Sequence, residues 1–326
     1  MHNIVILGGT GFVGRALTAK LVDRSGGGGG RIVVPTRRLP HGRSIQSLPT
    51  VELRRADVHD EKELARALRG CDAVVNLIGI LHGDERAFQH AHAELPRKLT
   101  RACAATGVRR VVHVSALGVG SNAPSKYLRS KAAGEAALKG VTTAAAAGKI
   151  ELTILRPSVM FGAEDHFMNL FAKLQRVLPV MPLAGADALF QPVWVEDVAS
   201  AIVYCLEHPA TIGQTFECAG PQLYSLRDLV RLAGQWSGHP RLVVPLPDAL
   251  ARVQAALMEL LPGQPLMSRD NIDSMRVPNV STGTLPGLPD LGIAPAALDA
   301  VLPLHLGRAG AGRGRLDMLR AGAGRG

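Results

Sequence analysis

A glycine-rich turn follows directly on a short apolar strand in the first fourteen residues of this chain. Residues 4–7 read Ile-Val-Ile-Leu, residues 8–14 read Gly-Gly-Thr-Gly-Phe-Val-Gly, and an apolar, alanine-rich stretch follows. In such a turn one glycine bends the chain, one lets the backbone approach a pyrophosphate, and one lets the helix pack on the strand. The N–H groups at the start of that helix attract phosphate. The pattern therefore predicts a dinucleotide-binding βαβ unit, with a purely structural turn as the alternative. The residues predicted to bind the cofactor here are Gly8, Gly9, Thr10, Gly11, Phe12, Val13 and Gly14.

The residues after the second predicted strand indicate which cofactor binds. Residues 31–35 read as that strand, and Thr36, Arg37 and Arg38 follow it. An NAD site normally has an acidic residue here to hold the ribose 2′-hydroxyl. Two arginines suit a 2′-phosphate instead, so we expect NADP(H) rather than NAD(H). The alternative is a pair of solvated surface arginines.

Length and composition favour a cytoplasmic α/β enzyme. The 326 residues are 47% hydrophobic but only 4% aromatic, so Ala, Val and Leu must fill the core, as in parallel sheets covered by helices. The four cysteines are scattered, which favours reduced thiols over disulfides or a zinc site. We expect no signal peptide and no membrane-spanning helix. Location at the inner face of the membrane, by peripheral contact, is the alternative.

The net charge of +10 does not indicate nucleic-acid binding. Residues 307–326 hold five arginines and one aspartate, a net +4, in a Gly/Arg/Ala-rich segment that we predict to be disordered. The remaining basic residues lack the interleaved aromatic residues of a single-strand binder. Weak attraction to anionic lipid is compatible with this charge, but specific nucleic-acid recognition is not predicted.

Strand and helix patterns alternate along the chain as a doubly wound parallel sheet requires. We therefore predict an α/β fold with a Rossmann-like sheet and a smaller C-terminal substrate-binding region. The predicted organisation is a nucleotide-binding domain over residues 1–160, a substrate-binding region over 161–306 whose residues 190–220 return to the sheet, and the tail. The predicted strands are 51–54, 73–78, 111–115 and 150–155, and the predicted helices are 61–68, 85–106, 125–138 and 167–177. Residues 26–30 and 144–147 are low-complexity loop expansions.

A second chemical pattern surrounds the fifth predicted strand. Tyr127 and Lys131 are four residues apart and share a helix face. Ser115 ends the preceding strand, at the sheet edge where ligands bind. A nearby lysine favours the tyrosine phenolate and lowers its pKa, which would make Tyr127 an acid or base. We predict Ser115, Tyr127 and Lys131 as the catalytic residues.

With these residues in place, the chain resembles the short-chain dehydrogenase/reductase superfamily, in the extended and atypical branches that contain NAD(P)-dependent epimerases, dehydratases and reductases. The resemblance rests on the N-terminal glycines, on residues 56–58 and 76–79, and on the Tyr/Lys pair. The segments 155–162, 191–199 and 213–217 make the chain most similar to bacterial relatives of the nucleotide-binding accessory subunit of respiratory complex I. That family is implied to bind NADPH and to have a structural role in the complex, and some relatives are linked to quinone metabolism.

The resemblance also implies roles for individual residues. Asp57 and Val58 would lie by the adenine, with Ile78, Gly79 and Pro157 along the cofactor. Tyr127 and Lys131 would contact the cofactor as well, Lys131 through the nicotinamide ribose.

Two departures from the family pattern stand out. Leu7 replaces a common threonine, and the segment 90–94 reads His-Ala-His-Ala-Glu where many catalytic members have an asparagine. That second change puts a complete proton relay in doubt. His82, His90 and His92 do not form a predicted metal site, because His90 and His92 face different sides of a helix.

Beyond residue 160 the pattern is less specific. Asn169 and Gln191 are candidate pocket groups, with ordinary surface or capping polar residues as the alternative. Residues 249–261 form an amphipathic helix with Leu250, Val253, Leu257 and Leu260 at helical spacing. We expect this face to pack in the core, with membrane contact as the alternative.

The sequence thus predicts an NADP(H)-binding oxidoreductase that acts on a small molecule, with a lipophilic or quinone-related compound as one possibility. The alternative is a non-catalytic NADPH-binding subunit of a respiratory or quinone-synthesis complex. A sugar-nucleotide epimerase is the third interpretation.

Overall fold

The computed structural model describes residues 3–24, 30–142, 150–260 and 266–306. The strands are, in chain order, β1 (Asn3–Leu7), β2 (Arg31–Thr36), β3 (Val51–Arg55), β4 (Ala73–Asn76), β5 (Arg110–Val114), β6 (Glu151–Pro157), β7 (Met160–Phe161), β8 (Val180–Leu183), β9 (Leu189–Phe190), β10 (Val193–Trp194), β11 (Thr215–Cys218), β12 (Tyr224–Ser225) and β13 (Leu242–Pro245). The helices are α1 (Phe12–Arg24), α2 (Glu61–Leu68), α3 (Glu85–Gln89), α4 (Leu95–Thr106), α5 (Lys126–Thr142), α6 (Met168–Val177), α7 (Val195–Glu207), α8 (Leu226–Ser237), α9 (Asp248–Glu259), α10 (Arg269–Ser274) and α11 (Leu298–Leu306). One turn of π-helix, His90–Glu94, joins α3 to α4.

The central sheet has seven strands in the order β3-β2-β1-β4-β5-β6-β11. Every neighbouring pair is parallel, so the carboxyl ends of the strands share one edge. The chain reverses its direction of progress across the sheet between β1 and β4, which is where open α/β sheets bind ligands. The predicted fold class is confirmed.

Helices cover both faces of this sheet. On one face, α2, α4 and α5 enclose a core that includes Val5, Leu64, Leu99 and Leu138. On the other, α1 and α7 lie side by side and are joined by ion pairs, Lys20–Glu196 at 3.4 Å and Arg24–Glu207. This arrangement follows from right-handed crossovers on either side of the reversal.

Several element boundaries differ from the predicted ones for local reasons. The predicted strand 73–78 stops at Asn76, because the Asn76 side chain turns back to accept a hydrogen bond from the Ile78 N–H (3.2 Å). The predicted helix 85–106 is interrupted by the π turn. Helix α2 has its predicted bounds, since Asp60 accepts from the Glu63 N–H (2.9 Å) and caps the helix.

The chain forms two units, each built from separated segments. Unit 1 consists of the described parts of residues 1–157, 196–218 and 281–293 and contains the seven-stranded sheet. The Glu217 carboxylate holds its last segment in place by accepting from the Thr282 N–H (2.7 Å) and the Ser281 hydroxyl (2.8 Å).

Unit 2 consists of the described parts of residues 158–195, 219–280 and 294–326. It pairs β7 with β10, β8 with β13 and β9 with β12 in three two-stranded sheets. Helices α6, α8 and α11 supply most of its core, together with Phe161, Met181 and Val243.

The expectation that the leucine face of α9 packs in the core is wrong. Leu250, Val253, Leu257 and Leu260 are 57–81% exposed, whereas Ala251 and Ala255 on the opposite face are buried. The periodicity gives the correct helix and its apolar face, but small residues rather than large ones anchor it.

Some predicted features lie outside the described residues. They are the alanine-rich insertion, all but Gly30 of the glycine-rich insertion, and the Gly/Arg tail. Within the described ranges, no helix is long and apolar enough to cross a membrane, and the four cysteines are free and buried.

Candidate nucleotide-binding and proton-transfer site

The glycine turn lies at the carboxyl end of β1, next to the point where the strand order reverses. Gly8 has a φ of +83°, a conformation that strongly favours glycine. The Gly11 N–H donates to the Gly8 carbonyl (2.9 Å) and closes the turn. Helix α1 then begins at Phe12, so its first N–H groups, which lack partners within the helix, face the sheet edge.

The four glycines have different packing requirements. A Cβ on Gly14 would lie 2.4 Å from the Gly9 Cα, and one on Gly9 would lie 2.8 Å from a Val34 methyl group. A Cβ on exposed Gly11 would approach only the Gly8 carbonyl, at 3.2 Å. Gly9 and Gly14 therefore serve packing, while Gly11 leaves the space before the helix open. This cradle fits a pyrophosphate.

Three arginines lie together at the neighbouring strand ends. A surface cavity of about 300 Å³ is lined by Arg37, Arg38, Leu39, Pro40, His41 and Arg55. Arg55 ends β3 directly beside Thr36 of β2. The Thr36 hydroxyl donates to the Arg38 carbonyl (3.2 Å) and accepts from its N–H (3.3 Å), which fixes the turn that carries both predicted arginines. Among the described residues no carboxylate lines this cavity, so it suits an anion.

The sequence-based interpretation missed Arg55. Its signal was its position at the end of the third strand, immediately before Ala56-Asp57-Val58. Asp57 itself shapes the loop, since its carboxylate accepts from the His59 N–H (3.0 Å), while Val58 is buried in the core.

Ile78 and Gly79 connect the glycine turn to the predicted catalytic set. A Cβ on Gly8 would lie 3.3 Å from Ile78, and a Cβ on exposed Gly79 would lie 3.2 Å from the Lys131 Nζ. Pro157 is buried at the carboxyl end of β6, where its carbonyl accepts from the Leu117 N–H (3.0 Å).

Ser115 and Lys131 lie close together at the carboxyl end of β5, and Tyr127 lies one turn before Lys131 on α5. Ser115 follows β5 and is buried, and its N–H donates to the Leu155 carbonyl (2.7 Å). Lys131 is also buried, and its Nζ donates to the carbonyl of Val114, the residue before Ser115 (3.1 Å).

Burial dominates the electrostatics of this set. It lowers the pKa of Lys131 to about 8, a shift that Glu135 on the next helical turn partly opposes. It also raises the pKa of Tyr127 to about 12. The expectation that Lys131 lowers the pKa of Tyr127 is therefore wrong for this structure, because the cost of desolvating the phenolate outweighs any attraction to the ammonium group.

A partly buried ion pair between Arg156 and Glu135 lies near Lys131. Arg156 on β6 makes two hydrogen bonds to the Glu135 carboxylate, at 2.8 and 2.6 Å. Burial raises the pKa of Glu135, but the hydrogen bonds and positive charge of Arg156 more than compensate and hold this pKa below its usual range. Glu135 is therefore an anion near Lys131 at neutral pH.

The histidines do not form a metal site in the described part of the chain, where no group of three His, Cys, Asp or Glu side chains could hold an ion. His90 is half-exposed and pairs with Glu94 (3.0 Å). His92 is buried and packs edge-on against the Tyr127 ring, with 5.5 Å between centroids. Sequence reasoning noticed His92 as a departure from the family pattern and as a rejected metal ligand, but not as a neighbour of Tyr127.

The two candidate pocket groups of unit 2 brace its loops. The Asn169 amide donates to the Ala163 carbonyl (3.2 Å), and the Gln191 amide donates to the Gly220 carbonyl (2.8 Å). These contacts to backbone carbonyls are those of ordinary capping polar residues, the alternative interpretation.

A doubly wound sheet with a glycine turn after β1 and a Ser/Tyr/Lys set at β5 and α5 defines a nucleotide-binding protein of the extended short-chain dehydrogenase/reductase class. The chain belongs to the NAD dependent epimerase/dehydratase family, whose profile matches residues 4–219. The predicted resemblance is confirmed.

Similar proteins include subunits of mitochondrial respiratory enzymes. The chain is 32% identical over 302 residues to the mouse protein "NADH dehydrogenase [ubiquinone] 1 alpha subcomplex subunit 9, mitochondrial", which covers 90% of this chain and 77% of that protein. It is 27% identical to the "NADH-ubiquinone oxidoreductase 40 kDa subunit, mitochondrial" of Neurospora crassa, over 90% of this chain and 76% of that one.

Solved structures share the fold at lower identity. The dTDP-glucose 4,6-dehydratase DesIV from Streptomyces venezuelae, solved with NAD bound, superimposes with a TM-score of 0.72 at 20% identity, over 93% of this chain and 95% of that chain. The protein gox2253 gives a TM-score of 0.70 at 20% identity, over 97% and 99% of the two chains.

Proposed function

We propose that this protein binds NADP(H) in preference to NAD(H) and acts as a reductase. The observation that carries the cofactor proposal is the shared cavity of Arg37, Arg38 and Arg55 at the ends of β2 and β3. A 2′-phosphate would accept charge-assisted hydrogen bonds from these guanidinium groups, whereas a 2′-hydroxyl offers them no negative charge. The glycine turn would hold the pyrophosphate.

Calorimetric titration of NADPH and NADH tests this preference. We expect the Arg37→Ala/Arg38→Ala double variant and the Arg55→Ala variant to lose roughly ten- to a hundred-fold in NADPH affinity, which corresponds to about 1.5–3 kcal/mol. NADH affinity should change little. Arg54→Ala is the matched control, because Arg54 precedes Arg55 but donates to Glu52 (2.6 Å) and does not line the cavity.

Equal affinity of the unmodified protein for both nucleotides would contradict the proposal. Loss of NADPH affinity in Arg54→Ala to the same extent as in Arg55→Ala would also contradict it, since the effect would then come from general basicity.

The proposed reaction is reduction of a carbonyl group or a quinone, in which the substrate oxygen is protonated. Bound NADPH supplies a hydride in such reactions. The Ser115 hydroxyl would orient the substrate oxygen, and Tyr127 would give it a proton. A phenol with a pKa of about 12 is protonated at neutral pH, which is the form that donates a proton to the substrate oxygen. The ubiquinone in the names of the relatives supports a quinone-like substrate.

A second candidate function is supported by two observations. The relatives at 27–32% identity are named as subunits of respiratory enzymes, and the exposed leucine face of α9 is the kind of surface that binds other proteins or membranes. The leucine face itself carries no charged residue, and two charged side chains elsewhere on α9 are paired, Arg252 with Asp273 (2.7 Å) and Glu259 with Arg269 (2.9 Å). An uncharged face favours a protein partner over anionic lipid. In this role NADPH would stabilise a subunit without turning over.

Complementation of a deletion strain separates the two roles. A reductase should fail to complement as either Tyr127→Phe or Gly11→Val. A nucleotide-stabilised subunit should tolerate Tyr127→Phe and fail only as Gly11→Val. Full rescue by Tyr127→Phe beside failure of Gly11→Val would overturn the reductase proposal.

A further inference from the structure

The π turn at His90–Glu94 places His92 between two parts of the site. The turn buries Ala91, His92 and Ala93, while His90 and Glu94 remain in solvent. Helix α5 approaches this turn very closely at Gly134, where a Cβ would lie 2.0 Å from the His92 carbonyl oxygen. Such π turns are rare and occur frequently at functional sites.

The hydrogen bonds of His92 show which of its two ring nitrogens carries the proton. The Ile80 N–H donates to His92 Nε2 (3.0 Å), so Nε2 carries no proton. His92 Nδ1–H donates to the Ser130 hydroxyl (2.8 Å), which in turn donates to the Tyr127 carbonyl (2.7 Å). One neutral tautomer satisfies all three bonds.

These bonds connect the turn that is expected to face the cofactor with the helix that carries Tyr127 and Lys131. Ile80 follows Gly79, where an added Cβ would lie 3.2 Å from the Lys131 Nζ, and Ser130 lies between Tyr127 and Lys131 in the sequence of α5. The His92 ring also packs against Phe88 and Tyr127, so it has little freedom to move.

We infer that His92 is a positioning residue that holds the Gly79–Ile80 turn at a fixed place relative to Tyr127 and Lys131, and thereby preorganises the site for the dinucleotide. This inference rests on the proposed NADP(H) binding. His92 transfers no proton. Burial, reinforced by Lys131 and His113, lowers its pKa to about 2, so it stays neutral over the working pH range.

Three substitutions separate the bonds of His92. Phe keeps the ring and removes both bonds. Gln can place an acceptor where Nε2 accepts from Ile80, and Asn can place a donor where Nδ1 donates to Ser130. His90→Gln is the matched control, because His90 lies on the same turn but faces solvent. Circular dichroism and thermal melting establish that each variant folds, and His92→Gln keeps the inference testable if His92→Phe does not.

Two measurements test the inference, amide hydrogen exchange at Ile80 without nucleotide and NADPH affinity by calorimetry. We expect faster Ile80 exchange and about ten-fold weaker NADPH binding in His92→Phe and His92→Asn. His92→Gln should restore both to within about three-fold, and the His90→Gln values should match the unmodified protein. The affinity ratio between the unmodified protein and His92→Phe should be the same at pH 5.5 and pH 7, because neutral His92 does not titrate in this range. The two titratable groups that face its ring, Lys131 and His113, have pKa values of about 8 and about 3 and keep their charge states as well.

Suppose that a folded His92→Phe variant exchanges the Ile80 amide faster but binds NADPH with unchanged affinity. The bond between Ile80 and His92 would then be purely structural, and the inference would fail while the proposed function stood. A ratio that changes with pH would overturn it too, by showing a titrating histidine. Absence of NADPH binding by the unmodified protein would instead refute the proposed function, and the inference with it.

Discussion

The two ends of the candidate site in unit 1 are built by different physical means. The phosphate end consists of backbone shape and exposed cations, namely the turn around Gly11 and the cavity of Arg37, Arg38 and Arg55. At the proton-transfer end Ser115 and Lys131 are buried and Tyr127 is half-buried, and desolvation shifts the pKa values of Tyr127 and Lys131 in opposite directions. The first end depends on local sequence, whereas the second depends on what the rest of the fold places around it.

The largest effects should come from the glycines, and they should differ in kind. Gly14→Val forces a side chain into backbone atoms at 2.4–2.5 Å, so we expect about 3 kcal/mol or more of lost stability. Gly11→Val should abolish NADPH binding with little loss of stability, because its side chain would extend into the open cradle. Urea denaturation and a thermal-shift assay with NADPH measure the two effects separately. A normal NADPH-induced shift in Gly11→Val would remove the distinction between the two glycines and make the turn structural only.

At the proton-transfer end, Tyr127→Phe should reduce turnover by a factor of roughly a hundred or more, the scale expected for a lost general acid. NADPH affinity should stay within about two-fold, because the hydroxyl is not part of the phosphate end. Steady-state kinetics and calorimetry on the same preparations give both values. A large loss of affinity would show that the two ends are not separable in this way.

The smallest expected effect is a pH dependence of stability caused by buried His113. Burial, reinforced by Lys131, lowers the pKa of His113 to about 3 from an ordinary 6.5. Below pH 6.5 the His113 side chain therefore binds a proton in the unfolded chain but not in the folded chain. Stability falls as the pH decreases from 6.5 toward 3, by about 1.4 kcal/mol per pH unit from this residue.

Urea denaturation at pH 7.5 and 5.5 measures this dependence, in a window where most carboxylates stay ionised. His113→Asn should weaken it by about 1.4 kcal/mol while it keeps an acceptor for the Asn76 amide, which now donates to His113 Nδ1 (3.1 Å). The same dependence in the variant would mean that His113 is already protonated in the fold.

The same contrast explains how much the sequence could predict. The strand, glycine turn and helix at residues 4–24 are local, so their pattern is enough to give the fold class and the cradle. Arg55 required knowledge of strand register, since only the pairing of β2 with β3 puts it beside Thr36. The helical spacing of Tyr127 and Lys131 gave their shared location but not the effect of burial on Tyr127.

Two further features depended on tertiary structure. His92 becomes part of the site through a π turn, and no helical periodicity predicts such a turn. For α9, the spacing of Leu250, Val253, Leu257 and Leu260 predicts one apolar face, but periodicity does not state whether anything covers that face.

The segmented construction of unit 1 has a consequence for how the protein can be made. Strand β11 lies at the edge of the sheet beside β6, and Glu217 within it holds residues near 282. A ribosome must therefore synthesise most of the polypeptide before β11 can complete this sheet. During that interval the side of β6 that faces away from β5 is an exposed edge. Exposed edge strands recruit other chains. A fragment ending near residue 160 should aggregate during expression even though it carries the whole glycine turn.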